Sequence, residues 1–220
     1  MRLRLRTPPS KFTGVLMKKS EALKIIVECA KLYSRNLVNQ NLLFVCDGAE
    51  GISSIETVFL PQNFMHLTGV AIRDKSQSSV TFYNACVNGK LTPALFEMNR
   101  DGTTRMKLSV LPQIMNIHKI ARMMGDFSEN KMRLHTEKIV GNVHACIGFV
   151  HAPRHKGFFV PNTVLREDIR DVVEKPTRKI IAVFRKPVNA DEYVDCTYRT
   201  KDFDPKVLSM QAISVKFAKV

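Results

Sequence analysis

The sequence predicts an α+β fold, with an N-terminal helical part packed on a mostly antiparallel sheet of four to five strands. One observation is a stripe of apolar residues at three- and four-residue spacing near the N-terminus, which includes Leu23, Ile26 and Tyr33. Another is the alternation of apolar and polar residues over 143–150, in the last third of the chain. A hydrophobic fraction of 45% over 220 residues is sufficient for a packed core.

The first third of the chain is predicted to contain one helix and two strands. The helix covers about residues 20–37, with Ser20 as a suitable N-cap. Two short strands follow at residues 42–46 and 55–60, separated by a turn-rich segment. Pro61 ends the second strand because proline has no backbone N–H to donate.

The middle of the chain is predicted to be helical. One helix runs from the serine pair at 78–79 to Val87, and Thr92-Pro93 has the pattern of a cap followed by proline at the first helical position. A longer helix is expected over residues 110–124, with Gly125 as its stop.

The last third changes to strand patterns. Four strands are predicted, at residues 143–150, 157–160, 179–186 and 192–200. A short helix over residues 164–173 separates the second strand from the third, and the alternating residues 213–217 predict a fifth strand.

Two parts of unequal size are expected along the chain. Residues 1–16 form an irregular basic arm, and residues 17–220 form a single α+β domain. The pair Pro8-Pro9 breaks any helix in the arm. We expect Met17 to be the natural start of the protein.

Charge indicates a polyanionic partner. The chain carries 34 basic and 20 acidic residues, which gives a net charge of +14. The first 19 residues hold six of the bases and no acid, so the rest of the chain still carries +8. A basic surface attracts phosphate backbones, and we therefore expect a nucleic acid as the partner. Colloidal solubility or the base composition of the genome explains the same charge without a partner.

Cysteine usage and hydropathy predict the compartment. The five cysteines are widely spaced, form no CxxC pair and mostly have apolar neighbours. This pattern predicts reduced thiols in the cytoplasm. No apolar run is long enough to span a bilayer, and the N-terminus lacks the apolar centre of a secretory signal, so no membrane partner is expected.

His66 and Thr68 are polar positions in the otherwise apolar segment FLPQNFMHLTG. Histidine gains and loses a proton near neutrality, so His66 is a candidate for moving a proton to or from a ribose oxygen, with Thr68 contacting the substrate. A core histidine bonded to backbone explains the pattern about as well.

Three lysines are candidates for contacting phosphate. Lys138 stands before the Gly141-Asn142 turn, where a cation can be fixed beside a cleft, or can simply be solvated at the end of a strand. Lys107 follows the turn glycine of DGTTRMK, and Lys119 lies further along the same stretch. That stretch lacks the P-loop spacing.

The segment VPNTVLREDIR predicts a phosphate-binding helix start. Asn162 or Thr163 caps a helix whose free backbone N–H groups can bind a phosphate, and Arg170 can hold its oxygens bidentately. The alternative is a plain N-cap with Arg170 on a solvated face.

A zinc site is also conceivable from the residue types His144, Cys146, His151 and His155, but their spacing matches no structural zinc pattern, and no metal or other cofactor is expected.

Four segments together resemble a known family. FLPQNFMHLTG, DGTTRMKLSVLPQIMNIHK, KIVGNVHACIGFV and FVPNTVLREDIRD, in this order, resemble the phage-type Barnase–EndoU–colicin–RelE-like nuclease domains, with the closest likeness to the subgroup of Firmicutes and their mobile elements. The resemblance covers roughly residues 20–205. It implies a helical lead-in on a four-stranded antiparallel sheet with a metal-independent RNase site on one sheet face.

The function expected from these observations is a metal-independent endoribonuclease of the toxin, effector or phage-defence type. His66 acts as base or acid, and Lys138 and Arg170 stabilise the phosphorane. An antitoxin or other protein is a further expected partner. Two alternatives stay open: a catalytically idle module that binds RNA or a nucleoprotein, and an inhibitor-type protein that binds an acidic partner.

Overall fold

The computed structural model describes residues 17–128, 134–153, 156–206, 208 and 216–217. The basic arm predicted for residues 1–16 lies outside the described residues. The helices are α1 (Lys19–Asn36), α2 (Phe64–Thr68), α3 (Ser79–Val87), α4 (Thr103–Ile114), α5 (Ile117–Ile120) and α6 (Ile169–Val172). The strands are β1 (Gln40–Gly48), β2 (Gly51–Phe59), β3 (Val70–Ile72), β4 (Phe96–Met98), β5 (Met123–Asp126), β6 (Lys138–Gly141), β7 (Cys146–His151), β8 (Phe158–Leu165), β9 (Arg178–Pro187), β10 (Glu192–Tyr193), β11 (Asp195–Arg199) and β12 (Lys216–Phe217).

The main sheet closes into a ring. Its order is β1-β2-β8-β7-β6-β5-β9-β11, and β9 also pairs with β1, so seven strands form a closed circuit and β11 extends β9. Every neighbouring pair is antiparallel except β2 and β8. The α+β class and the mostly antiparallel pairing are therefore confirmed. The expectation of four to five strands is wrong, because the sheet has eight.

The N-terminal elements follow the sequence patterns closely, except that Lys18 and not Ser20 is the N-cap of α1. α1 buries the stripe that contains Ile26 and Tyr33, and its first turn is closed by the Glu21 carboxylate, which accepts from the Lys18 backbone N–H at 3.0 Å. The β1–β2 hairpin turns between Gly48 and Gly51, which pair with each other. The helix from Ser79 to Val87 is also confirmed, and Ser78 caps it through the Thr81 N–H.

The expected helix over residues 110–124 is wrong at both ends. α4 begins earlier, at Thr103, after Gly102 adopts the left-handed conformation, and residues 123–126 form β5. Gly125 does not stop a helix: a Cβ at this position would lie 2.8 Å from Cβ of Val173, so glycine allows α6 to pack closely on β5. The helix expected after Thr92-Pro93 is absent from the described residues there, which lead directly into β4.

The strand expected over 157–160 continues to Leu165 and replaces the first part of the expected helix over 164–173. Pro161 is tolerated because β8 carries an irregularity at this point, where Asn162 is skipped in the pairing with β7. Asp168, which accepts from the Arg170 N–H at 2.9 Å, caps the short α6 instead of Asn162 or Thr163.

The C-terminal strands are partly as expected. The strand over 179–186 is confirmed as β9, and the strand over 192–200 is divided into β10 and β11. Of the fifth expected strand, Lys216–Phe217 forms β12, which pairs in parallel with β10, and residues 213–215 lie outside the described residues.

The two faces of the ring pack against different partners. Leu42, Phe44 and Cys46 of β1 join a large cluster with buried residues of α1 to α5, which defines the inner face. Leu43 and Val45 join an outer cluster with Tyr193 and Leu208. On the far side, α6 covers the outer face of β5 to β8 through a third cluster that includes Ile139, Cys146 and Ile169.

The ring has two distinct ends. At the end called the mouth here, β1, β5 and β7 end, and β2, β6, β8 and β9 begin. At the other, called the helical end, α1 leads into β1 and β2 leads into α2. Helices α2 and α4 pack against β8, and α5 packs against β9 and β11 near this end.

Candidate functional site at the mouth of the sheet

Three charged side chains occupy inward positions at the mouth. Asp126 lies opposite Lys138, two residues beyond the pair of Met124 and Val140, which are both buried in the inner cluster. Because side chains alternate between faces, Asp126 and Lys138 also point inward. Arg178 lies opposite Met124 and shares the same face.

These three residues form one ion-pair network. A single carboxylate, that of Asp126, accepts from Lys138 Nζ through Oδ1 and from Arg178 Nη2 through Oδ2 at 2.9 Å. Both cationic side chains are about a quarter exposed, at 25% and 26%. Partial burial raises the pKa of Asp126, but the hydrogen bonds and charges of Lys138 and Arg178 outweigh it and hold the pKa below its usual value.

A histidine–carboxylate pair stands beside the network. His151 donates its backbone N–H to Glu137 Oε1 at 2.9 Å, and its ring Nδ1 contacts Glu137 Oε2. The ring also lies 4.3 Å from the ring of Phe159, measured between centroids. Partial burial raises the pKa of Glu137, yet the two hydrogen bonds from His151 lower it overall.

His151 lies on the same face of the sheet as the network, whereas Glu137 directly precedes Lys138 in the chain and reaches His151 at the end of the strands. Lys138 lies opposite Phe149, and His151 is two residues further along β7 on that face. Such diagonal neighbours on a sheet have Cα atoms roughly 7–8 Å apart, within reach of long side chains. We call Asp126, Glu137, Lys138, His151 and Arg178 the mouth cluster.

Ser53 adds a hydroxyl to the inner face. It lies opposite Cys46, whose side chain belongs to the inner cluster and contacts Met124 through sulfur at 3.8 Å. The Ser53 Oγ atom is shielded from solvent and has no hydrogen-bond partner among the described residues. Burial raises the pKa of Cys46 to about 12, and the positive charge of Arg178 partly opposes the shift.

The mouth cluster contains the groups that acid–base chemistry at a phosphate requires. Glu137 and His151 can accept and return a proton. Lys138 and Arg178 are the two cationic side chains of the cluster that can hold the oxygens of a phosphate. Among the described residues, no three His, Cys, Asp or Glu side chains are grouped in a way that could hold a metal ion.

A comparison with protein-family models identifies the family of the protein. Residues 25–202 match the family described as phage-Barnase-EndoU-ColicinE5/D-RelE like nuclease4. The chain belongs to this nuclease family. The match spans the whole mouth cluster and agrees with the extent of the sequence resemblance, whereas the Firmicutes subgroup stays a prediction. Neither the curated proteins nor the solved structures gave a significant match.

Of the nuclease's expected site residues, Lys138 lies in the mouth cluster. Thr163 is buried on the outer face opposite Gly148, and Asn162 donates its amide to the His135 carbonyl. Both are strand residues, so the expectation that one of them caps a phosphate-binding helix is wrong.

His66, Thr68 and Lys107 lie together at the helical end. His66 is exposed on α2, and its carbonyl accepts from Lys107 Nζ at 2.9 Å. Partial desolvation of the ring by neighbouring atoms and the Lys107 charge lower the pKa of His66, and desolvation also lowers that of Lys107. Thr68 is fully buried, donates to the Met65 carbonyl and accepts from the Val70 N–H. Its contacts close the turn after α2.

Arg170 and Lys119 are placed away from Lys138. Arg170 is exposed on α6, which packs on the outer face, and its guanidinium pairs with Asp168. Lys119 is exposed on α5 near the helical end. The expected convergence of His66, Lys138 and Arg170 on one cleft is therefore not what the structure shows. The catalytic role of each residue stays a prediction.

Sequence reasoning missed Asp126, Arg178, Glu137 and the pairing of His151. A signal was present, because each inward charge stands two residues from a buried inner residue: Met124 before Asp126, Val140 after Lys138. If the alternation of side chains along a strand had been applied to charged residues as well as to apolar ones, it would have identified the inner face at the mouth.

No helix among the described residues is long and apolar enough to cross a membrane.

Proposed function

We propose that the protein is a metal-independent endoribonuclease that cleaves RNA by attack of the 2′-hydroxyl on the adjacent phosphate. The observation that supports this function is the mouth cluster, where His151, in contact with the Glu137 carboxylate, lies on the same face of the sheet as two cations. Membership of a nuclease family supports the same class of reaction.

In the proposed reaction, Glu137 takes the proton of the 2′-hydroxyl while the 2′-oxygen attacks phosphorus. Protonated His151 gives a proton to the leaving 5′-oxygen, so the products are a 2′,3′-cyclic phosphate and a free 5′-hydroxyl. The contact between Glu137 and His151 allows the proton to return directly from the carboxyl to the ring. Lys138 and Arg178 stabilise the charge that develops on the phosphoryl oxygens.

The proposed substrate is RNA and not DNA, because only ribose carries the attacking hydroxyl. A cytoplasmic toxin or effector of a phage or mobile element, held in check by a protein inhibitor, is the biological setting that we propose. The alternative, an idle module that grips RNA, draws on the net charge of +14, which favours binding whether or not turnover follows.

Incubation of the purified protein with total RNA in EDTA tests the proposal. We expect fragments that carry 2′,3′-cyclic phosphates, and no cleavage of the corresponding DNA. Salt-sensitive binding of RNA without any cleavage would favour the idle module. Activity that disappears with EDTA and returns with a divalent cation would contradict the metal-independent mechanism.

A further inference from the structure

The Asp126 carboxylate holds both cations of the mouth cluster at once. Within the described part of the chain, it is the only hydrogen-bond acceptor of the Lys138 ammonium and of the Arg178 guanidinium. The two donors approach different oxygens of the one carboxylate. A phosphate presents a similar edge of two oxygens to a pair of cationic donors.

We propose that the Asp126 carboxylate occupies, in the free protein, the position that an RNA phosphate takes between Lys138 and Arg178, so that a phosphate must displace it to bind. The identity of the anion as RNA rests on the proposed function. The competition itself is a property of these three side chains and any phosphate.

Placement and charge both support displacement. The carboxylate is 38% exposed, so it can turn towards water without leaving an unpaired charge in the protein interior. The cations are more buried than Asp126, which keeps them fixed at the mouth while their partner changes.

The arrangement has a functional consequence. Because the internal carboxylate competes, a small free phosphate gains little by entering, whereas an RNA chain adds contacts outside this position. The site therefore selects for a polymer over an isolated phosphate and holds cleaved ends weakly. A purely structural ion pair predicts the opposite of competition, since loss of Asp126 would loosen both cations and weaken anion binding.

The decisive variant is Asp126→Asn, which keeps the shape of the side chain and removes its charge. We expect inorganic phosphate, titrated calorimetrically in EDTA at low salt, to bind roughly tenfold more tightly than to the unmodified protein. The matched control is Asp168→Asn, because Asp168 also pairs with an arginine, Arg170, but on the outer face. The control should leave phosphate affinity nearly unchanged.

Two further measurements make the outcome specific. Adding Lys138→Gln to Asp126→Asn should abolish the gain, because one of the two cations is lost. In the unmodified protein, the ¹³C carboxyl resonance of Asp126 should shift as phosphate saturates, and this reading does not depend on whether a variant folds.

Unchanged or weaker phosphate binding in Asp126→Asn, or an Asp126 resonance that saturating phosphate leaves in place, overturns the proposal. These measurements do not require cleavage. A protein that cleaves no RNA but shows the gain in affinity would therefore refute the proposed function alone, and an active enzyme without the gain would refute only the competition.

Discussion

The two ends of the ring hold polar side chains in different ways. At the helical end, Thr104 is fully buried, donates to the Gly69 carbonyl at 2.5 Å and accepts from the Asn99 N–H at 2.9 Å. Thr68 and Lys107 likewise bond to backbone groups. At the mouth, by contrast, side chains such as Lys138 and His151 pair with other side chains and stay partly exposed.

This contrast separates two uses of polar residues that look alike in sequence. A side chain that satisfies backbone groups fixes the path of the chain, and its loss lowers stability. A side chain that pairs only with another side chain at a partly exposed surface contributes little to stability. Variants at the mouth should therefore lower activity, and variants at the helical end should lower stability.

The largest expected effect concerns the two histidines. His151→Ala should lower RNA cleavage by about two to four orders of magnitude, because it removes the proposed acid, with little change in melting temperature. Glu137→Gln should act in the same direction. Rates of cleavage of a short RNA, measured in EDTA, check this expectation.

His66→Ala is the comparison variant at the helical end and should retain most of the activity. The sequence segment FLPQNFMHLTG predicted instead that His66 is the proton-transfer group. A large loss in His66→Ala together with full activity in His151→Ala would restore that assignment and remove the mouth cluster from the mechanism.

The second expectation concerns stability and pH at the helical end. His118 is 1% exposed, its Nδ1 has no partner among the described residues, and burial, aided by Arg185 and Lys119 and opposed by Asp195, lowers its pKa from 6.5 to about 4. The unfolded chain therefore takes up a proton before the folded protein does. The contribution of His118 to stability is complete above pH 6.5 and is lost as the pH falls towards 4.

The full loss over that range amounts to roughly 3 kcal/mol in the free energy of unfolding. Urea unfolding at a series of pH values measures it, and His118→Asn should flatten the slope between the two pKa values. An unmodified protein whose stability is constant over this range would contradict the burial of a neutral His118.

The local sequence pattern predicts much of the fold, but it predicts only part of the candidate site. The α1 stripe and the apolar run of β1 predict their elements because α1 buries one continuous face and β1 is buried on both faces. β5 and β6 were not predicted as strands because each has only four residues and contains a glycine and an inward charge. Neither therefore shows an apolar run. Ring closure depends on pairs far apart in sequence, such as Leu42 with Arg185, and local spacing carries no information on these.

The third expectation compares the two cations that were predicted to act together. Lys138→Ala should lower cleavage by about one to two orders of magnitude, because it removes charge that stabilises the phosphorane. Arg170→Ala should have little effect, because Arg170 belongs to the helix that covers the outer face. Equal losses in both variants would show that α6 also contributes to the site.

The smallest expected effect concerns two hydroxyl groups, that of Thr104 at the helical end and that of Ser53 on the inner face of β2. Thr104→Val removes a hydroxyl that satisfies two backbone groups and should lower the free energy of unfolding by about 1–3 kcal/mol without slowing cleavage.

Ser53→Ala removes a shielded hydroxyl that has no partner among the described residues, so its loss should leave stability unchanged or slightly higher. Ser54→Ala controls for the change in strand propensity, because Ser54 lies opposite Val45 on the outer face. A clear destabilisation by Ser53→Ala would instead show that this hydroxyl, like that of Thr104, satisfies backbone groups. The contrast between the helical end and the mouth would then not hold.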